Sequence, residues 1–218
     1  MGSLIYILFI ALFFPFFLMM LLVEKKARLP VIFVLIGMFV AVFASAINGV
    51  LLNTFKMSQY DATITLTPIT EEFLKALPIL FFAVFFSDKK EALFTASMAT
   101  GIGFAVLENA YYIIMNYNTF SALLALARGF GTGLMHGMCT LIIGFGISFV
   151  RKKRKLFAVA TFALLITAIT YHAIFNMLVT SKYSLIGILL PIVTYLPFFA
   201  WRNLNTDEAK EKIRKLFL

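Results

Sequence analysis

Seven long apolar segments constrain this chain more than any other feature of its sequence. A helix needs about 20 mainly apolar residues to cross the hydrocarbon core of a bilayer. Lipid offers the backbone no hydrogen-bond partners, so such segments fold as helices. We therefore predict an all-α fold, a polytopic transmembrane helix bundle of about seven spans. The segments are Leu4–Val23, Val31–Leu52, Leu66–Phe86, Ala92–Met115, Gly129–Val150, Leu156–Val179 and Tyr183–Ala200.

An eighth apolar segment, residues 117–127, is too short to span the membrane. We expect an interfacial helix there that leads into the fifth span. The composition agrees with one transmembrane domain over residues 1–218, because 62% of the residues are hydrophobic and only 13% are charged. The single cysteine, Cys139, excludes an internal disulfide and a multi-cysteine metal site.

The distribution of basic residues predicts the orientation in the cell membrane. Three Lys and Arg precede the second span, two precede the fourth, five precede the sixth and five follow the seventh, all on one side. The opposite side has only Lys56 and Lys182, so we predict an extracytoplasmic N-terminus and a cytoplasmic C-terminus. The tail, residues 203–218, is predicted to be an amphipathic basic helix on the anionic inner leaflet, and nucleic acid is rejected as a partner. Arg128, at a span edge, is interpreted as an interface anchor.

The few ionisable side chains within the predicted spans share one depth. A charge at the centre of a span costs about 2.5–3.5 kcal/mol, and such residues normally face the bundle interior and mark function. Counted from the outer end of each span, the acids and imidazoles lie ~8–11 Å below the boundary at a rise of ~1.5 Å per residue. Four helices thus bring them to one level. The set is Glu71, Glu72, Lys75, Glu108, His136 and His172.

Helical spacing adds detail to this cluster. Glu71 and Lys75 are four residues apart in the order that favours an ion pair, whereas Glu72 is rotated about 100° from Glu71 and need not share its target. His172 and Asn176 lie on one face of their helix. Structural roles are the alternative: glutamates suit a helix N-terminus, and buried His or Asn can hold neighbouring helices together.

Carboxylates and imidazoles without a serine or cysteine partner favour activation of water. A glutamate can act as general base, and a histidine with an asparagine can stabilise an oxyanion. No Gly-x-Ser-x-Gly motif points to a serine triad, and no HExxH motif points to zinc. A proton-coupled transporter or channel is the non-enzymatic alternative. A divalent metal such as zinc is a further alternative, with candidate ligands Glu72, Glu108, His136 and His172.

Four ordered motifs resemble those of the PrsW family of intramembrane proteases, within the superfamily of CAAX-type and bacteriocin-processing proteases. Glu71–Lys75 resembles the family's EExxK motif, and Gly103–Asn109 resembles its FxxxE motif followed by Asn. His136 matches an isolated histidine of the next helix, and His172–Asn176 resembles an HxxxN-type motif. The motifs cover about residues 66–180, which the resemblance implies to be the catalytic core.

The resemblance implies an intramembrane endopeptidase that cleaves a membrane-anchored protein or peptide near the extracytoplasmic face. For PrsW-like proteins the substrate is the extracytoplasmic part of an anti-sigma factor. Scaffolding relatives in the superfamily leave a non-catalytic subunit as an alternative. Our hypothesis is that one paired glutamate is the general base for a water molecule, helped by His136 or Glu108, and that His172 with Asn176 stabilises the oxyanion. The catalytic set is Glu71, Glu72, Glu108, His136, His172 and Asn176, with Lys75 orienting the glutamates.

Overall fold

A computed structural model describes residues 2–116, 118, 121–150 and 154–204. Within these ranges the chain forms seven helices of at least 20 residues, one short helix and no β-strand. The prediction of an all-α, polytopic helix bundle is confirmed. The helices are α1 (Gly2–Leu22), α2 (Lys25–Phe55), α3 (Gln59–Ile64), α4 (Leu66–Phe85), α5 (Lys90–Met115), α6 (Ala122–Ile147), α7 (Arg154–Val179) and α8 (Ser184–Leu204).

Among the helices in the described part of the chain, five (α1, α2, α5, α6 and α7) are long and apolar enough to cross a membrane. The apolar stretch of α8, Ser184–Tyr195, is shorter. Helix α4 carries Glu71, Glu72 and Lys75, yet it packs against α2, α3, α5, α6 and α7, so its charged side chains are buried among other helices. The predicted basic tail lies outside the described residues from residue 205 onward and stays a prediction.

Helix α6 begins earlier than the sequence predicted. We expected a separate interfacial helix near residues 117–127 and a fifth span from Gly129, but α6 runs unbroken from Ala122 to Ile147. Ser121 caps it, because its hydroxyl oxygen accepts the backbone N–H of Leu124 at 3.1 Å. The expectation of a separate helix was wrong for the described residues of this segment, since the apolar residues after Ser121 extend the spanning helix.

Helix α3 is a short element that we did not predict. Ser58 caps it by accepting the backbone N–H of Asp61 at 3.1 Å and by donating its hydroxyl to the Asp61 carboxylate at 2.6 Å. A Ser-x-x-Asp sequence is a known signature of a helix start and would have located this element. Because α3 packs against α4 and α7, it lies close to the helices that carry several candidate residues.

Glycines on α5 let this helix approach its neighbours closely. A Cβ atom added to Gly101 would meet the backbone carbonyl of His136 on α6, and one added to Gly103 would meet the carbonyl of Val34 on α2. Small residues at such positions allow helix backbones to pack in contact within a membrane. This close packing on both sides brings the polar face of α5 to that of α6.

Candidate active site

Four helices bring the predicted ionisable residues together near one end of the bundle. Helix α4 contributes from its first half, α5 and α7 from their second halves, and α6 from its middle. Except for Glu108, whose side chain is 34% exposed, these residues are buried, so their interactions with one another are poorly screened by water. The convergent residues are Glu71, Glu72, Lys75, Glu108, His136 and His172.

Lys75 lies at the centre of this group. Its ammonium nitrogen is 2.7 Å from Glu72 Oε1 and 2.8 Å from His136 Nδ1, and it lies 4.6 Å from the ring centroid of Phe104. Since an ammonium group can only donate, Nδ1 of His136 accepts this hydrogen bond. The predicted pairing of Lys75 with Glu71 was wrong. Residues three apart are also helix neighbours, and Lys75 turns toward α6 on the side of Glu72.

Glu108 joins His136 to a residue whose role the sequence analysis missed. One Glu108 oxygen lies 2.6 Å from His136 Nε2, and the other accepts a hydrogen bond from Arg128 at 3.0 Å. The Arg128 guanidinium also stacks 3.7 Å from the ring centroid of Tyr112. The interpretation of Arg128 as an interface anchor missed these contacts. Its spacing of eight residues from His136, about two helical turns, was the available signal.

His172 connects the two adjacent glutamates. Its Nδ1 lies 2.8 Å from Glu72 Oε1, and because the carboxylate accepts, Nδ1 carries the proton in the neutral ring. This leaves the lone pair on Nε2, which is 3.9 Å from Glu71 Oε2. Both carboxylates therefore face His172, a point that their rotation about the helix had left open. The His172 ring is nearly perpendicular to that of His136, at a centroid distance of 4.9 Å.

Two carboxylate oxygens of the cluster lack a hydrogen-bond partner. They are Oε2 of Glu71 and Oε2 of Glu72, and both are buried. A buried acceptor without a partner is costly, so these atoms can bind a water molecule, a metal ion or a substrate group. Glu71 also lines a cavity of about 920 Å³, together with Glu108 and His172. The unsatisfied Glu71 oxygen therefore belongs to a residue on the wall of a ligand-sized space.

Asn176 lines the same cavity but also has a structural contact. Its side-chain amide donates to the backbone carbonyl of Thr63 at 2.9 Å, which ties α7 to the short helix α3. An asparagine amide has two N–H donors. One of them is used within the protein, so the predicted oxyanion role depends on the other.

The donor set fits a divalent metal ion. One ligand atom from each of Glu71, His136 and His172 lies within 4.8 Å of the others, and one carboxylate with two imidazoles is a ligand set of catalytic zinc sites. The contact of Glu72 with His172 resembles the carboxylate that typically orients a metal-binding histidine. Both nitrogens of His136 are hydrogen-bonded, so His136 must release Lys75 or Glu108 to become a ligand.

The metal candidates thus differ from those predicted. Glu71 replaces Glu72 and Glu108 in the group whose atoms converge. Glu72 is held by Lys75, and Glu108 is held by Arg128. The rotamers that decide these pairs depend on contacts between helices, which sequence spacing does not fix.

The fold and the site together define a class, a multi-span membrane protein with a buried centre of carboxylates and imidazoles beside a cavity. A family model described as PrsW family intramembrane metalloprotease matches residues 25–202, and the chain belongs to this family. The resemblance inferred from the motifs is therefore confirmed, and membership supports peptidase activity in general. No curated protein and no solved structure matches the chain.

Proposed function

We propose that this chain is an intramembrane endopeptidase that hydrolyses a membrane-anchored protein or peptide near the extracytoplasmic face. One observation carries the proposal: an unpartnered carboxylate oxygen of Glu71 lies 3.9 Å from the available nitrogen of His172, in a centre built from four helices. This arrangement suits hydrolysis, because it offers a proton acceptor without a serine or cysteine nucleophile. Family membership supports the same reaction class.

In the proposed mechanism Glu71 receives a proton from the attacking water. The distance of 3.9 Å to His172 is too long for a direct hydrogen bond, and we assign the water to a position beside these two atoms, within hydrogen-bond reach of both. Glu72 holds His172 through Nδ1, so that Nε2 faces the reaction. In this tautomer Nε2 of His172 accepts a hydrogen bond from the water, and the second N–H of Asn176 stabilises the oxyanion that forms on the scissile carbonyl. When the oxyanion collapses, the C–N bond breaks and Glu71 returns its proton to the leaving amine.

The remaining charged residues position this centre. Lys75 neutralises Glu72 and fixes the His136 ring through Nδ1. Glu108 accepts from the other nitrogen of that ring and is itself held by Arg128. His136 is thereby fixed from both sides, which gives it one ring orientation and one neutral tautomer.

A divalent metal, zinc being the candidate, would be held by Glu71, His136 and His172. When bound, such an ion supplies Lewis acidity and eases deprotonation of water. Glu71 is needed in either case, as the base without a metal and as a ligand with one. Elemental analysis of the purified protein, combined with inhibition by a chelator and recovery on adding zinc, separates the two versions. Full activity in metal-free protein would exclude the metal-dependent one.

The central experiment uses the full-length protein in lipid vesicles with synthetic single-span peptides, and mass spectrometry detects the products. We expect cleavage to fall by about 100-fold or more in Glu71→Gln, Glu72→Gln and His172→Ala, since general-base contributions reach this size. Glu91→Gln is the matched control, because Glu91 is exposed at the start of α5. Full cleavage by all three site variants would contradict the proposal.

The same vesicles test the other functions. Proton flux without cleavage would favour a transporter or channel, and a folded protein that tolerates neutral substitutions at Glu71 and Glu72 would favour a scaffold. The substrate class remains the anti-sigma-factor type by resemblance, namely a single-span protein with an extracytoplasmic part. Peptides cut only in their inner half would contradict the proposed side of cleavage.

A further inference from the structure

The cavity has a wall on α2, outside the four helices that build the cluster. Ser45, Asn48, Gly49 and Leu52 line the same cavity as Glu71. Their spacing of three, four and seven residues from Ser45 puts them on one face of α2. We call these four residues the α2 strip. None of the motifs that indicated the family lies on this helix, so the strip needs its own explanation.

Two residues of the α2 strip could contact a ligand: Asn48 has an unused hydrogen-bond acceptor, and Gly49 faces open space. The Oδ1 atom of Asn48 is buried and has no hydrogen-bond partner. A Cβ atom added to Gly49 would meet nothing within 4 Å, whereas one added to Gly37 of the same helix would meet the backbone of Thr100 on α5. Gly37 therefore serves helix packing and Gly49 does not. The absent side chain of Gly49 instead adds room to the cavity.

The chemistry of an intramembrane substrate matches these features. A spanning helix satisfies all its backbone groups internally, which also shields its peptide bonds. A segment must unwind before a base and an oxyanion site reach one carbonyl from both sides. Its freed N–H and C=O groups then need partners from the protein, because unpaired polar groups are costly away from water. A buried free acceptor beside open space provides such a partner.

We propose that the α2 strip binds the unwound peptide segment of the substrate. Asn48 Oδ1 accepts a hydrogen bond from a substrate main-chain N–H, and Gly49 leaves space for the peptide backbone to lie against α2. The segment thus lies in the cavity between the α2 strip and Glu71. This inference rests on the proposed endopeptidase function and specifies its substrate as a peptide bound through its main chain.

The test measures binding apart from turnover. The probe is a fluorescent synthetic single-span peptide with a glycine-rich outer third, bound to full-length Glu71→Gln protein in vesicles. We expect Asn48→Leu to weaken binding about fivefold, the size of one lost hydrogen bond. Gly49→Leu should weaken it about tenfold or more by filling the space. Gly129→Leu is the matched control, since Gly129 also faces open space but does not line the cavity.

Each outcome has one meaning. Weaker binding in both α2 variants with unchanged binding in Gly129→Leu supports the α2 strip, provided that all variants keep the melting temperature of the parent. Unchanged binding in both, equal weakening in the control, or no binding to the parent overturns it. Failure of the proposed function has a different signature: the peptide binds in a manner that depends on Gly49, yet protein with Glu71 intact does not cut it.

Discussion

At the scale of single residues, the two adjacent glutamates have different hydrogen-bond partners although their side chains are identical. Glu72 Oε1 is shared by Lys75 and His172, whereas Glu71 Oε2 has no partner. A rotation of about 100° per residue separates the two side chains on α4. Glu72 is therefore held in a buried ion pair, whereas Glu71 is available to a ligand.

The buried pair of Glu72 and Lys75 gives a test of stability. Lys75→Met leaves a buried carboxylate without its cation, and we expect the protein to lose about 3–5 kcal/mol of stability. The double variant Glu72→Leu with Lys75→Met should recover most of this loss, because it removes both charges. Denaturant unfolding in detergent micelles measures the effect. A double variant no more stable than Lys75→Met would show that the pair does not explain the loss.

Arg128 gives a test of positioning. Arg128→Gln frees Glu108 from one partner. If Arg128 acts through Glu108, kcat should fall about tenfold with little change in KM, although Arg128 also lines the cavity. Arg128→Lys keeps the charge but loses the planar fork, and should give an intermediate rate. Lys182→Gln is the control for loss of one positive charge at the same end. A rise in KM alone would instead indicate substrate binding by Arg128.

At the scale of helices, the site depends on how closely backbones approach. Helix α5 contacts α6 through Gly101, which lies against the backbone carbonyl of His136. Glu108, also on α5, is hydrogen-bonded to the imidazole ring of the same histidine. The backbone spacing and the side-chain hydrogen bond therefore belong to one helix pair. A change in the spacing of α5 and α6 alters the hydrogen bond directly.

Gly101→Ala is the corresponding prediction. The added methyl group has no room against the α6 backbone, and overpacking of this kind costs about 1–3 kcal/mol. We expect a lower melting temperature together with a loss of cleavage, because α6 moves away from Glu108. Gly133→Ala is the control on α6, where an added Cβ meets nothing within 4 Å. Equal stability and activity of the two alanine variants would contradict this account of the packing.

At the scale of the whole molecule, the site lies at the end of the bundle that has few basic residues. The cluster lies toward the end of the bundle formed by the C-terminal end of α2, the start of α4 and the end of α7. The connections at this end carry Lys56 and Lys182, while Lys25, Lys26, Lys89 and Lys90 lie at the other end. The positive-inside rule therefore predicts that the site faces the extracytoplasmic side.

Cysteine labelling on intact cells tests this orientation. We expect Lys56→Cys to react with a membrane-impermeant maleimide from outside, and Lys90→Cys to react only after the membrane is permeabilised. Cys139 is buried, so the natural thiol should give little background. The reverse labelling pattern would put the site on the cytoplasmic side and rule out an extracytoplasmic substrate.

The sequence by itself determined the helical class, the approximate positions of the long helices and the set of ionisable residues that meet. These follow from local properties, namely the length of apolar segments and the high cost of charge in hydrocarbon, so that each buried Glu, Lys or His required polar neighbours. The ordered motifs also identified the family. Ser58 and Ser121 carried readable capping signals for α3 and for the true start of α6.

Only the tertiary structure decided which side chains pair. The choice of Glu72 over Glu71 by Lys75, the contact of Arg128 with Glu108 and the bond from Asn176 to α3 depend on distances between helices and on rotamers. Helical spacing permits several neighbours for each residue and does not choose among them. The unpartnered oxygen of Glu71 is likewise a property of the assembled bundle, because it results from pairs that the other residues form first.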